Sequence, residues 1–298
     1  MTKIAEPILE AKAVLGEGSL WDHQRNCLYW VDIPEGKVNI YDPATGANSV
    51  FRVTQDVGTV VTDTSGNLML ALRDGFGRLD IDSGEVVMVA EQKAEGIRFN
   101  DGKCDPAGRF WAGTMADDMA EGAGALYCLD TDLTVRRMIE KVTVSNGLVW
   151  TLDAKCFYYI DSPTREVAAF DYDIDSGKIS NRKAAIKIEE KLGFPDGMAI
   201  DEADMVWIAH WGGGIVTRWN PKTGKLLETI KVPHASLVTS CAFGGPNLNE
   251  LFITTATVDL NEEQKKSQTL AGSIFRVQLD VKGVPAFVSK AEGTRDWV

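Results

Sequence analysis

The sequence predicts an all-β fold, a six-bladed β-propeller with four-stranded antiparallel blades, on three observations. Six apolar residues open equivalent strands: Leu28, Leu68, Phe110, Phe157, Val206 and Leu251, at intervals of 40, 42, 47, 49 and 45 residues. Each interval carries short β-branched and aromatic runs divided by Asp, Asn and Gly turns, as in "DTSGN", "DPAGR" and "GPNLNE". No stretch longer than a few residues follows a 3.6-residue apolar period. A repeat of this length with several strands per unit is satisfied by radial closure, which leaves only short edges exposed. A β-sandwich needs no such repeat, and a β-helix repeats at a shorter period.

The elements follow in order. "PILEAKAVL" is one strand ahead of the first unit, and its expected place is the last blade, so that the two ends of the chain close the ring there. Within each unit an inner strand precedes the anchor. The third strand ends in a tight turn, as in "VNIYDPATGAN", "AAFDYDIDSGK" and "VTRWNPKTGK", where Gly supplies the positive φ of a hairpin. The Asp171, Asp173 and Asp175 series begins like a calcium loop. It has Arg182 where an acid should stand, so it reads as a turn. "DLNEEQKKS" reads as a loop with one helical turn. After Leu251 the chain offers "AGSIFRVQLD" and "VPAFVSK" as the last strand material. Residues 1–298 read as a single domain. The tryptophans Trp30, Trp111, Trp150, Trp207 and Trp219 recur at blade spacing, which assigns them to packing between blades, while Trp21 and Trp211 lie near strand ends where they could flank a pocket.

Composition narrows the function. The chain of 298 residues carries 43 acids against 31 bases, a formal charge of -12, without a basic block, which argues against nucleic acid as a partner. Five scattered cysteines, Cys27, Cys104, Cys128, Cys156 and Cys241, form no CxxC, and most lie in apolar strand runs; buried thiols in a reducing, cytoplasmic setting are expected. No apolar run approaches the length of a membrane span, and the first residues lack a signal-peptide core.

Ten or eleven residues before each anchor stand Glu17, Gly58, Asn100, Asn146, Asp196 and Ser240 or Thr239. Inner strands line the channel of a propeller, so Glu17, Asn100, Asn146 and Asp196 are expected to converge on the axis at one depth. Carboxylates and carboxamides gathered there repel and lose solvation unless something satisfies them. An all-oxygen set suits one hard divalent ion, Ca²⁺, Mg²⁺ or Mn²⁺, with Zn²⁺ as a further choice. The competing reading has these residues capping strand ends. His210 follows a strand into "WGGG" and is a candidate substrate contact at the channel mouth. Asp101 is a second candidate base, although on a regular strand it should point away from the channel.

The stretches "LGEGSLWD", "FNDGKCDPAGRFWAGTM", "SNGLVW", "YYIDS", "FDYDIDSGKISNR", "PDGMAID" and "CAFGGPNLNELFITTA" span nearly the whole chain. In order and spacing they resemble the SMP-30/gluconolactonase/regucalcin family, which includes the luciferin-regenerating enzymes. The resemblance implies a six-bladed propeller with one divalent ion in the channel and hydrolysis of sugar lactones. It assigns the ion to Glu17, Asn146 and Asp196, and the substrate to Arg98 and Asn100. Asp118 stands where regucalcin-like members have a Glu that reaches sugar hydroxyls, and "HWGGG" is more similar to microbial aldonolactone hydrolases than to animal regucalcins. The expected activity is therefore that of a sugar lactonase, a gluconolactonase-like carboxylic ester hydrolase, with a small-molecule sugar lactone as partner. Asp196 would be both ligand and the base that activates water. Alternatives are an aryl-ester or phosphotriester hydrolase of the same propeller type, and a non-enzymatic scaffold or calcium-binding propeller.

Overall fold

The computed structural model describes residues 3–291. It is a six-bladed propeller in which each blade is an antiparallel four-stranded sheet whose first strand faces the axis. The innermost strands, blades 1 to 6 in chain order, are Gly16–Asp22, Val57–Thr62, Ile97–Cys104, Ser145–Trp150, Phe194–Ile200 and Val238–Gly244. Blades 1 to 5 take three further consecutive strands from the chain. Blade 6 takes Glu250–Thr255 and Ile274–Gln278, and its outer strand is Glu6–Leu9 from the N-terminal end, paired antiparallel to Ile274–Gln278. The expected closure is therefore present. One detail differs: Lys3–Ile4 continues past blade 6 and pairs in parallel with Lys225–Lys231, adding a fifth strand to blade 5.

Local chemistry explains the hairpins. Between third and fourth strands the same turn recurs. Asp42, Asp80, Asp173 and Asn220 accept backbone N–H groups two or three residues on, and Gly46, Gly84, Gly177 and Gly224 follow with φ of +67 to +75°. The Asp171–Asp175 stretch is this turn, with Asp173 Oδ1 accepting from Ser176 N at 2.8 Å. "DLNEEQKKS" forms a short helix, Glu262–Ser267, started by a capping box between Asn261 and Gln264. "VPAFVSK" joins no sheet as a full strand; it makes isolated bridges instead, treated below.

The core lies between blades. Six apolar clusters each draw on two adjacent blades. Between blades 3 and 4, Trp111 meets Trp150 edge-on at 5.6 Å and Phe157 at 5.2 Å. Trp30, Trp111 and Trp207 are fully buried, the packing role their spacing indicated. Truncating one of them to Ala should cost roughly 3–5 kcal/mol. The turns before second strands bind these layers to the backbone. Asp105 Oδ1 accepts from Ala107 N and Arg109 N, and its Oδ2 accepts from Trp111 Nε1 at 3.0 Å. Asp201 repeats this in blade 5 with Ala203 N, Met205 N and Trp207 Nε1 at 3.1 Å. All five cysteines are free thiols, and four are buried. No helix of the described residues is long and apolar enough to cross a membrane.

Closure by Glu6–Leu9 generates a testable expectation. Ile8, Leu9 and Ala11 cover the cluster between blades 6 and 1. Deleting residues 1–9 should expose that cluster and a strand edge, leaving the protein largely insoluble or with Tm lowered by about 10 °C or more. Unchanged yield and an unchanged melting curve would show that the ring closes without this strand.

Candidate functional site

The innermost strands share one irregularity. Each of the six breaks register with its second strand near its N-terminal end: Glu17/Leu20, Val57/Thr59, Phe99/Gly102, Ser145/Leu148, Pro195/Met198 and Val238/Ser240. A bulge re-aims side chains and tightens twist. Glycine accompanies it for a steric reason. A Cβ on Gly147 would sit 2.6 Å from Asp196 O, and one on Gly58 would sit 2.5 Å from Asn100 O. The Asn-Gly and Asp-Gly pairs therefore divide labour: the polar residue is held at the axis, and the Gly lets the next blade's inner strand approach.

Glu17, Asn100, Asn146 and Asp196 are all buried, each at most 4% exposed. Asn100 Nδ2 donates to Asn146 Oδ1 at 2.9 Å and to Ser145 O at 2.8 Å. Asn146 Nδ2 donates to Ser162 Oγ at 2.8 Å, which donates to Pro195 O at 2.6 Å beside Asp196. This chain of bonds links blades 3, 4 and 5, and both carboxamide oxygens accept within it, Asn146 Oδ1 from Asn100 and Asn100 Oδ1 from Arg98. Arg98 Nη1 donates to Asn100 Oδ1 at 2.7 Å and to Phe99 O at 3.0 Å.

Asp101 departs from the alternation expected of a regular strand. The bulge between Phe99 and Gly102 keeps it buried at 2%, and its charge is felt by both Glu17 and Asp196. Burial is the first reason that all three carboxyls titrate high, and repulsion adds to it for Glu17 and Asp196. Glu17 is pushed up to about 8 by desolvation and by Asp101. Asp196 rises well above the ordinary carboxyl range through desolvation, Glu17 and Asp101, and Asp101 rises through desolvation. Asp196 Oδ1 and Asp101 Oδ2 are buried with no hydrogen-bond partner among the described residues. Among those residues no three His, Cys, Asp or Glu side chains stand together at metal-ligand spacing. A cation held here would draw on a mixed set of acids and carboxamides.

Asp118 lies outside this buried group. It is exposed in the loop after Phe110–Ala116, where Oδ1 accepts from Ala120 N at 3.0 Å. Its neighbour Asp117 is tied down: Arg73 donates to it at 2.9 and 3.0 Å and also binds Asp56 through Nε at 3.1 Å. The motif reading missed Arg73 and Asp56, although Asp56 stands two residues before Gly58 as Arg98 stands two before Asn100. It also missed Asp32 and Asp161, which end second strands. Asp32 accepts from Val14 N and Leu15 N, and Asp161 from Thr143 N and Val144 N, fixing the entry of inner strands 1 and 4.

His210 is not at the channel mouth. It is fully buried within blade 5, its Nε2 sharing a hydrogen bond with Thr217 Oγ1 at 2.5 Å. Trp211, expected as a possible pocket wall, is half-buried and bridges Leu237. Trp21 lies at the far end of the channel instead.

Taken together, fold and site define an oxygen-lined propeller channel with a buried acid cluster at one end. The comparisons identify the class more closely. Residues 15–257 match the family model "SMP-30/Gluconolactonase/LRE-like region", and the chain belongs to that family. It is 41% identical to regucalcin of Homo sapiens over 292 residues, covering 95% of this chain and 97% of the relative. It is 39% identical over 282 residues to a Bacillus subtilis (strain 168) protein provisionally named sugar lactone lactonase YvrE, covering 93% and 96% of the two chains. A solved luciferin-regenerating enzyme superposes with a TM-score of 0.90 at 33% identity, covering 96% of this chain and 99% of its own.

The reassignment of His210 can be tested by pH. Burial holds its pKa down to about 3, against roughly 6.5 in an unfolded chain. A depressed folded pKa contributes stability above the unfolded value and loses it as pH falls from about 6.5 toward 3. Between pH 6.5 and 4 the urea midpoint of His210→Asn should therefore fall less steeply than that of the wild type. Parallel pH profiles would contradict a buried neutral imidazole.

Proposed function

We propose that this protein hydrolyses the ring ester of sugar lactones with one divalent ion held by Glu17, Asn146 and Asp196. The reading rests above all on Asp196 Oδ1, buried beside Glu17 and Asp101 with no donor of its own among the described residues. The set fits a hard cation. Its donors are all oxygen, and carboxyls that titrate high by burial and mutual repulsion gain most from a fixed positive charge. Calcium, manganese, magnesium and zinc all fit such donors, and one solved relative in the family bears the description calcium-binding protein. Family relatives named as lactonases point to the same chemistry. When bound, the ion supplies a Lewis acid for the lactone carbonyl and lowers the pKa of water.

The chain's own groups do the rest. Asp196 accepts a proton from the attacking water, whose oxygen adds to the carbonyl carbon. The bond from that carbon to the ring oxygen then breaks, and the proton passes to the departing ring oxygen, giving the free aldonic acid. Asn100, fixed by its bond to Asn146, and Arg98, fixed on Asn100, donate to the substrate's oxygens. Asp118 accepts from sugar hydroxyls at the rim, a contact that favours polyols over plain alkyl lactones. Arg73 holds the base of that loop through Asp117.

The test is a lactone panel run on metal-stripped protein with each ion restored separately. Wild-type turnover should return with at least one divalent ion. Asp196→Asn should lose turnover of every lactone by about 1,000-fold or more, since it removes the base and weakens ion binding. Asp118→Ala should lower kcat/KM for sugar lactones by roughly 10- to 100-fold, the worth of a charged hydrogen bond, and spare alkyl lactones. Equal losses on both substrate classes would remove Asp118 from substrate selection. Background rates with every ion would overturn the lactonase reading itself.

A further inference from the structure

The opposite end of the channel holds a second cavity, of about 480 Å³, which is the size of a small-molecule pocket. Its walls come from the C-terminal halves of inner strands, two to five residues beyond the acid cluster, and include Trp21, Trp150 and Phe243. Its floor is the segment 284–287, the middle of the stretch that joins no sheet. That segment is tied down on opposite sides of the ring. Gly283 bridges Asp201 of blade 5, with Gly283 N donating to Leu248 O at 2.7 Å. Ser289 bridges Asp63 of blade 2, with Ser289 N donating to Thr62 O at 2.8 Å, and Lys290 N donates to Gly108 O at 2.8 Å. Blades 2 and 5 face each other across the axis, so the strap spans the channel's diameter at this end.

The walls are mostly apolar, with one charged side chain among the described lining residues, Lys103. No carboxylate lies within ion-pair distance of its ammonium among those residues, although its charge is felt by Glu17 and Asp101 up the channel. An apolar chamber with one cation that forms no ion pair among the described residues is complementary to a particular ligand class. We propose that this cavity is a second binding site, separate from the acid cluster, for a small apolar molecule bearing one anionic group, with Lys103 holding the anion and the strap 284–287 covering the apolar body.

A matched pair of fluorescent probes tests this: 8-anilinonaphthalene-1-sulfonate, and N-phenyl-1-naphthylamine, the same skeleton without the sulfonate. The wild type should bind both saturably at one site per chain, the sulfonate about tenfold or more tighter. Lys103→Met should erase that preference by weakening the sulfonate alone, and Lys103→Arg should keep it. Ala286→Trp, which fills the cavity from the strap, should abolish binding of both, with its melting curve confirming that it is folded. If that variant unfolds, the Lys103 pair still decides the matter. Absence of saturable binding, binding of both probes unaffected in folded Ala286→Trp, or a sulfonate preference surviving Lys103→Met would each overturn the proposal. None of these outcomes depends on lactone turnover, so the second site and the proposed activity stand or fall separately.

Discussion

Closure of six sheets around one axis is the constraint on which the rest of this structure depends. It brings six innermost strands to within contact of their neighbours. That crowding demands Gly at positions such as Gly58 and Gly147, where a Cβ would meet the adjacent backbone. It places the apolar core in layers between blades rather than at the centre. The axis is left to side chains that cannot all be apolar, because the bulged strands leave polar backbone and polar side chains facing one another. The outer strand Glu6–Leu9 matters because without it the last of these layers has no cover.

The buried acids of the chain fall into two groups, and the difference is one of satisfaction. Asp105 and Asp201 are completely buried, yet every oxygen accepts from turn amides, an indole or an arginine. Asp32, and the half-buried Asp161, likewise spend both oxygens on the amides of the incoming inner strand. These carboxylates are structural, and each such bond is worth roughly 1.5–3 kcal/mol. Glu17, Asp101 and Asp196 are as deeply buried, but burial raises the titration of all three, and repulsion raises that of Glu17 and Asp196 further. A fold that keeps three carboxyls buried together at its axis bears a standing desolvation cost that the satisfied carboxylates do not.

The channel is polar at one end and apolar at the other. At the first, Arg98 is held on Asn100 within the polar group, and Arg73 is fixed to Asp117 of the loop that carries Asp118. At the second, aromatic walls and a strap drawn across the ring enclose space around Lys103. The two ends are joined by the same inner strands, and Lys103 and Asp101 are only two residues apart on one of them. Electrostatics at one end therefore reaches the other.

The sequence by itself determined the repeat, and with it the blade count, the hairpin turns and the inter-blade tryptophans, because each depends on local periodicity and on turn chemistry written in neighbouring residues. It also pointed to Glu17, Asn100, Asn146 and Asp196 as a group, since offsets of ten or eleven residues from their anchors put each near the start of an inner strand. What only the tertiary structure decided depends on departures from regular strands and on contacts across the ring. The bulge at Phe99/Gly102 brings Asp101 into the acid cluster against the expected alternation. His210 turns into its blade to meet Thr217. "VPAFVSK", composed like a strand, becomes a strap: Glu6–Leu9 occupies the outer edge of blade 6, and the segment is held instead by isolated bridges from Gly283 to Asp201 and from Ser289 to Asp63. A strand's side-chain alternation is local, but a bulge, an occupied edge and a partner across the axis are properties of the closed ring.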